Sequence, residues 1–404
     1  VTSAPLLALV ALSSVQHNMP PPPPPPPNLV LFSFVYGENM YRDPVLQLFL
    51  KAVKGCGVDV VMLSTLNASA RDTGVDSTLF GSNVRERRIE WQTLASMLQR
   101  KFVSSETSAI AFATAHPFKA HDAKPLLPLL FPDLVRGYEW WGWVDWDTWV
   151  GDLRRLGSFL RSYRGDVWTP GMGLWKAWLP DRRCIGSASF KHPPPPGTMA
   201  GADDCAQKVS WGPLTVLRNS HAYTRLWSQP SNRRAVRFML QQDGNTQFDE
   251  WGEVAFAHKE RHGALKPVGY ASSFSGILHR ASQAGTLRLE LDHVGTLNSD
   301  ALACRSDPLS RPCLQPSRLR PGAGYCRMRV TAAGVTRLFQ GALTANNASA
   351  KGCVCEHEAV VCHFPFKDGK RARWRQLDES DVRKLLHARD LVATRDHALG
   401  VYAV

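Results

Sequence analysis

Asp145 and Asp147 stand one residue apart at the end of the apolar run Trp140-Trp141-Gly142-Trp143-Val144. On extended backbone, residues i and i+2 project to the same side. Two carboxylates so placed can share one hard divalent cation. Mg²⁺ or Mn²⁺ held by few carboxylates completes its shell with other oxygens, those of a substrate phosphate above all. The diphosphate of a nucleotide-sugar is a substrate of that kind. The competing reading is a buried strand followed by a solvated acidic turn.

The flanks say which elements must position the pair. Val150, Leu153, Leu156 and Leu160 recur at helical spacing, so the segment reads as strand, acidic turn, helix. In an open α/β sheet the C-terminal edge of the strands is where ligands bind. Upstream, 28–36 (NLVLFSFVY) reads as a buried strand, Gly37-Glu38-Asn39 as a turn, 44–53 as a helix and 57–63 (GVDVVML) as a second strand. Strand, helix, strand at this spacing is a βαβ unit and implies a parallel sheet. A helix is expected over 88–102, a short strand over 108–114, a strand over 211–219 and a helix over 221–227. The periodicity predicts half-exposed strands at 286–294 and 325–331, a strand at 358–364 and a late helix at 379–387. Lys119-Ala120-His121-Asp122-Ala123-Lys124-Pro125 reads as a helix start, with Asp122 as N-cap and Pro125 in the first turn. If a helix starts at Asp249, that residue caps it, Phe248 and Trp251 pack inward, and Glu250 projects.

Five segments, in order, resemble a poorly characterised D-x-D family of GT-A glycosyltransferases known mostly from polysaccharide biosynthesis. They are Lys119-x-x-Asp122-x-Lys124-Pro125, then Trp141-Gly142-Trp143-Val144-Asp145-Trp146-Asp147 with Gly151-Asp152-Leu153-Arg154, then the strand ending Arg218-Asn219, then Phe248-Asp249-Glu250-Trp251, then His363-Phe364. The resemblance implies a GT-A-type (Rossmann-like) α/β domain, a mixed, mostly parallel sheet flanked by helices. It implies a metal-dependent transferase that moves a sugar from a nucleotide-diphosphate donor to a glycan or glycoconjugate hydroxyl. Asp145, Asp147 and His363 would hold Mn²⁺ or Mg²⁺. Tyr36, Gly37, Ser64 and Thr65 would lie against the nucleotide, and Lys119 and Lys124 against the diphosphate. Asp249 or Glu250 would be the base that deprotonates the acceptor in an inverting reaction; a plain acidic helix N-terminus is the competing reading. The family's late basic run is here spread over Lys367, Lys370 and Arg371. A zinc cluster of Cys353, Cys355, His357, Cys362 and His363 matches no common zinc spacing.

Composition sets the outer limits. The chain has 404 residues, 44% hydrophobic and 21% charged, enough for one sizeable core. A net charge of +13 suits an anionic substrate, membrane lipid or nucleic acid. The cations are scattered and no nucleic-acid motif is present, so nucleic acid is not expected as a partner. Thirteen tryptophans suit either sugar platforms or a core; the first use underlies the alternative of an inactive GT-A-fold glycan-binding protein. A phosphohydrolase would need more carboxylates than can be placed. Residues 1–28 read as the remnant of a signal or anchor followed by a polyproline spacer at 20–27, residues 29–376 as the catalytic domain with loop insertions near 182–209 and 299–322, and 377–404 as a C-terminal helix and tail. With Val1 in place of Met, the true N-terminus is expected upstream, and a membrane anchor with it. Sequons at Asn67 and Asn347, and cysteines at 184/205 and 304/313 that could be bridged, favour a secretory lumen, the Golgi in a type II topology, over the cytoplasm.

Overall fold

Strand β1 (Leu29–Val35) is buried along its whole length, which only a central strand covered on both faces allows. The computed structural model describes residues 29–36, 43–64, 78, 80–103, 117–169, 209–242, 246, 248–250 and 272–290, and the backbone of six strands beyond residue 323. Around β1 stand β2 (Asp59–Ser64), β3 (Val84–Arg88), β4 (Trp140–Val144), β6 (Val167–Trp168) and β7 (Leu214–Arg218), in the order β3-β2-β1-β4-β7-β6. The first four are parallel, and β7 runs antiparallel between β4 and β6. This is the mixed, mostly parallel sheet flanked by helices that the sequence predicts.

Alternation along β1 divides the core into two layers. Leu29, Leu31 and Val35 face helices α1 (Pro44–Val53) and α5 (Arg154–Ser162). Val30, Phe32 and Phe34 face α2 (Trp91–Phe102), α7 (Pro230–Leu240) and α8 (Phe274–Gln283). Short helices α3 (Leu127–Leu130), α4 (Pro132–Val135) and α6 (His221–Leu226) complete that second layer. Trp140 joins the first layer, and Trp141 and Trp143 the second. Eight tryptophans (91, 140, 141, 143, 146, 149, 168 and 227) are buried, so for them core packing, not a sugar platform, is the role.

The chain returns late to the D-x-D. Strand β5 (Thr148–Val150) pairs with β11 (Val361–His363) in register His363↔Thr148. A further sheet has the order β10-β9-β8-β12-β13, from His357–Ala359, Thr336–Ala342, Gly324–Val330, Asp390–Thr394 and Tyr402–Ala403.

Three expectations change. Arg88 ends strand β3, and the helix begins only at Trp91; a polar edge strand such as Val-Arg-Glu-Arg-Arg carries no apolar period to reveal it. The described part of 286–294, residues 286–290, is no strand: Asp166 N donates to the Arg288 carbonyl at 2.7 Å, and Arg288 N donates to the Asp166 side chain, Oδ2, at 2.8 Å, so no ladder forms. The tail beyond 377, expected to hold only a helix, contains β12 and β13. The helix at 379–387, the strand at 108–114, the loop insertions, the sequons and residues 1–28 lie outside the described residues.

Two of the resembling elements hold the frame. Asn219 Nδ2 donates to the carbonyls of Val135 and Tyr138 at 2.9 and 3.0 Å, and Arg218 lies over Trp140 at 4.3 Å. Arg154 forks onto Asp152 at 2.7 and 2.8 Å as α5 begins. Gly142, opposite Val216 in the ladder, leaves no room for a side chain, since a Cβ there would lie 2.2 Å from the Thr215 carbonyl oxygen. Gly142→Ala therefore forces β4 and β7 apart and should cost about 3 kcal/mol, read as a lower urea midpoint at unchanged slope.

Candidate functional site

The sheet order reverses direction between β1 and β4: the chain winds outward through β2 and β3 and then returns to the other side of β1. At such a switch point the strands' carboxyl ends open a crevice. Tyr36 directly follows β1, and Asp145 directly follows β4. His121 spans the gap, with Nε2 sharing a hydrogen bond with the Tyr36 hydroxyl at 3.1 Å and Nδ1 lying 3.4 Å from Asp145 Oδ1.

His121 comes from a stretch expected to start an α-helix. Pro117–Leu126 is instead a 3-10 helix, in which residues i and i+3 eclipse. That period sorts its charged residues into two pairs. Lys119 and Asp122 face each other, Nζ to Oδ2 at 2.9 Å. His121 and Lys124 both reach Asp145. Asp122 is no N-cap: its carboxylate accepts from Thr246 N and Oγ1 at 2.8 and 3.0 Å and from Phe248 N at 2.9 Å, so it fastens the Phe248–Glu250 turn to the 3-10 helix.

Lys124 is the centre of the cluster. It is 1% exposed, and its Nζ lies 2.6 Å from Asp145 Oδ1, 3.0 Å from Asp249 Oδ2 and 3.0 Å from the Gly212 carbonyl oxygen. All three ammonium protons thus have acceptors. Burial alone would drive the ammonium to release its proton, but the two carboxylates outweigh it and hold the pKa above the usual lysine value. Burial likewise opposes ionisation of Asp145, and Lys124 with His121 overcomes it, so Asp145 lies well below the ordinary carboxylate range. Asp249 moves the other way. Its side chain is 4% exposed against 14% for Asp145. Burial, with Asp122 and Asp145 nearby, raises it despite Lys124. Lys124 is thus chiefly the partner of Asp145.

Of the sequence candidates, Tyr36, Lys119, Lys124, Asp145, Asp249 and Glu250 belong to one connected region. Glu250 is half-buried and accepts from Gly212 N at 3.1 Å. Asp147 is half-buried in the turn between β4 and β5. His363 is represented by its backbone, one register step from Asp147. Ser64 is buried at the end of β2. Gly37 and Thr65 lie outside the described residues. His121 is the member that sequence reasoning missed; the signal was its i, i+3 spacing to Lys124, which puts the two on one face of either helix type.

A divalent ion can be tested against these donors. Asp145 Oδ1 is occupied by Lys124 and His121, while Oδ2 accepts no hydrogen bond among the described residues. Thr148 Oγ1 is buried without a partner there, opposite His363 in the ladder. Two hard carboxylates and an imidazole-bearing strand suit Mn²⁺ or Mg²⁺ in kind. Among the described residues no three His, Cys, Asp or Glu side chains already form a metal-binding group.

A protein-family model described as a family of unknown function (DUF6625) matches residues 72–161, the stretch that holds Lys119, His121, Lys124, Asp145 and Asp147. No curated protein matches the chain. Among solved structures the chain is similar to mouse xyloside xylosyltransferase 1 in its apo form, with TM-score 0.30 and 11% identity over 54% of this chain and 78% of that one. It is similar to residues 1–349 of Staphylococcus aureus TarS, with TM-score 0.25 and 11% identity over 55% of this chain and 56% of that one. It is also similar to the galactosyltransferase LgtC in complex with donor and acceptor sugar analogues, with TM-score 0.26 and 12% identity over 50% and 62%. The match thus spans little more than half of TarS and less than two thirds of LgtC. Likeness at these scores carries no argument about activity, which has to come from this chain's own side chains.

Replacing Lys124 by Met leaves two buried carboxylates without their cation. The expected loss at neutral pH is about 3–5 kcal/mol. Asp145's folded pKa lies below its unfolded value of 3.8. Its contribution to wild-type stability is therefore complete above that value and lost as pH falls through the folded pKa. The carboxylates of Lys124→Met protonate readily as pH falls. Wild-type and variant unfolding free energies should then converge towards acid, as a denaturant series from pH 7 to pH 3 would show.

Proposed function

We propose that the chain is a glycosyltransferase of GT-A type that binds a nucleotide-sugar diphosphate at the switch point between β1 and β4 and transfers the sugar to a glycan or glycoconjugate hydroxyl. The observation that carries this reading is the Tyr36–His121–Asp145–Lys124 chain across that crevice. It joins an aromatic hydroxyl, suited to a nucleotide, to a carboxylate that has one oxygen left for a cation. Asp145 and Asp147, with His363, are the groups that would hold Mn²⁺ or Mg²⁺, and a bound ion there would supply Lewis-acid stabilisation of charge on the departing diphosphate.

The chain's own residues do the rest. Lys124 sets Asp145 in one rotamer and keeps it ionised. Tyr36 and Ser64 line the nucleotide edge. Lys119, buried against Asp122, acts through the turn it steadies. Of the two candidate bases, Glu250 fits better, because its carboxylate is half-buried rather than buried and is not the partner of Lys124. Asp249 is engaged by Lys124 and anchors it. The alternative of an inactive glycan-binding protein has less support, since eight of the nine described tryptophans are buried in the core and Trp211 alone is half-buried.

The test is a panel of nucleotide-sugars with Mn²⁺, scored by thermal shift and released nucleoside diphosphate. One nucleotide should stabilise the protein only with metal, and Asp147→Ala should abolish that metal-dependent shift. No metal-dependent shift from any nucleotide would overturn the reading. Glu250→Gln should lower kcat by about 10²-fold or more with donor affinity unchanged, whereas Asp249→Asn should act mainly through stability.

A further inference from the structure

The opposite edge of the sheet carries a different chemistry. Helix α2 starts two residues beyond β3, at the strands' carboxyl ends, and its 12 residues run back about 18 Å. Its last turn, with Arg100 and Lys101, therefore lies towards the amino-terminal edge, away from Tyr36 and Asp145. Strand β7 ends there too, because Arg218 pairs with Trp140, the first residue of β4. Helices α6 and α7 leave from that edge and add Arg225, Arg233 and Arg234. Arg233 joins the two groups, with Nη2 donating to the Lys101 carbonyl at 2.8 Å and the guanidinium over Phe102 at 5.6 Å.

None of α2, α6 and α7 contains an acidic residue. Arg100, Lys101, Arg225 and Arg234 are exposed and form no ion pair among the described residues. This arrangement opposes the protein's own stability. Arg233 and Arg234 lie in the first half of α7, where the helix dipole disfavours cations. Arg233 and Arg237 repel at i, i+4. An anionic partner offsets both. Helices α2 and α7 each also present a half-buried apolar residue one turn from a cation, Met97 before Lys101 and Phe238 after Arg234. Cations mixed with apolar side chains on two neighbouring helices suit a lipid interface. Of the aromatic side chains on and beside these helices, Trp91, Phe102, Tyr223 and Trp227 are buried, and a half-buried Phe238 alone is too little for a base-stacking platform.

We propose that the face formed by the end of α2, α6 and the start of α7 docks on an anionic membrane surface, with the switch-point crevice directed away from the bilayer. The proposal does not depend on the transferase reading. It is tested with the full chain by co-sedimentation on phosphatidylcholine vesicles with and without phosphatidylserine. Binding should require phosphatidylserine and weaken as salt rises. The combined variant Arg100→Gln, Lys101→Gln, Arg225→Gln, Arg234→Gln should lose about a hundredfold or more in partitioning at an unchanged thermal midpoint. Replacing the three arginines by lysine should retain binding. Equal binding to neutral vesicles, or full binding by the glutamine variant, would overturn the proposal. So would absence of vesicle binding together with heparin or duplex oligonucleotide binding through the same four residues, which would assign the face to a soluble polyanion.

Discussion

The Lys124 ammonium, enclosed between Asp145, Asp249 and the Gly212 carbonyl, is the constraint on which the rest of the site depends. Those three partners come from separate parts of the chain: the end of β4, the 248–250 turn and the segment leading into β7. Each is otherwise a loop or strand end with little to fix it. A buried charge tolerates few arrangements, since every proton it donates must find an acceptor and every carboxylate must keep its cation. The cluster contributes less as net stability than as specification. It allows one relative placement of the three segments, and that placement opens the crevice beside β1.

The 3-10 helix at 117–126 is what delivers this cation. An α-helix would offset His121 and Lys124 by about 60°, whereas the threefold period stacks them directly. The same period sets Lys119 against Asp122 and turns that pair towards Thr246 and Phe248. One short element thus serves two jobs, holding the acidic turn in register with the sheet edge and aligning Asp145 with Tyr36 across the strands.

Much of the frame was legible because its strands are apolar runs. The β1–α1–β2 unit, β4 and β7 lie within two or three residues of where periodicity puts them. Strand β3 was not legible: at an edge its residues face water and copy the composition of a loop. Strands β12 and β13 escaped because short strands in a late sheet carry too few residues for a period to emerge. The residues of the site were visible as types, but not their partners. Asp122 looked like a helix cap because Asp before Pro is one locally; only a turn some 120 residues later could claim its carboxylate. Asp249 looked as available as Glu250, because sequence does not reveal that a buried lysine engages the first and not the second.

The two edges of the sheet divide the charge between them. At the carboxyl edge, cations are buried and paired, so they shape a site rather than attract from afar. At the amino edge Arg218 is paired with Glu139 and Asp166, whereas Arg100, Lys101, Arg225 and Arg234 are exposed and form no ion pair among the described residues, and they account for part of the chain's strong net positive charge. The decisive measurement for the central claim is a crystal structure with a nucleoside diphosphate and Mn²⁺, with the metal located by its anomalous scattering. The account predicts the ion at Asp145 and Asp147, the nucleotide in the crevice beside Tyr36, and Lys124 still on Asp145. A nucleotide bound elsewhere on the chain, or an ion away from both aspartates, would contradict it.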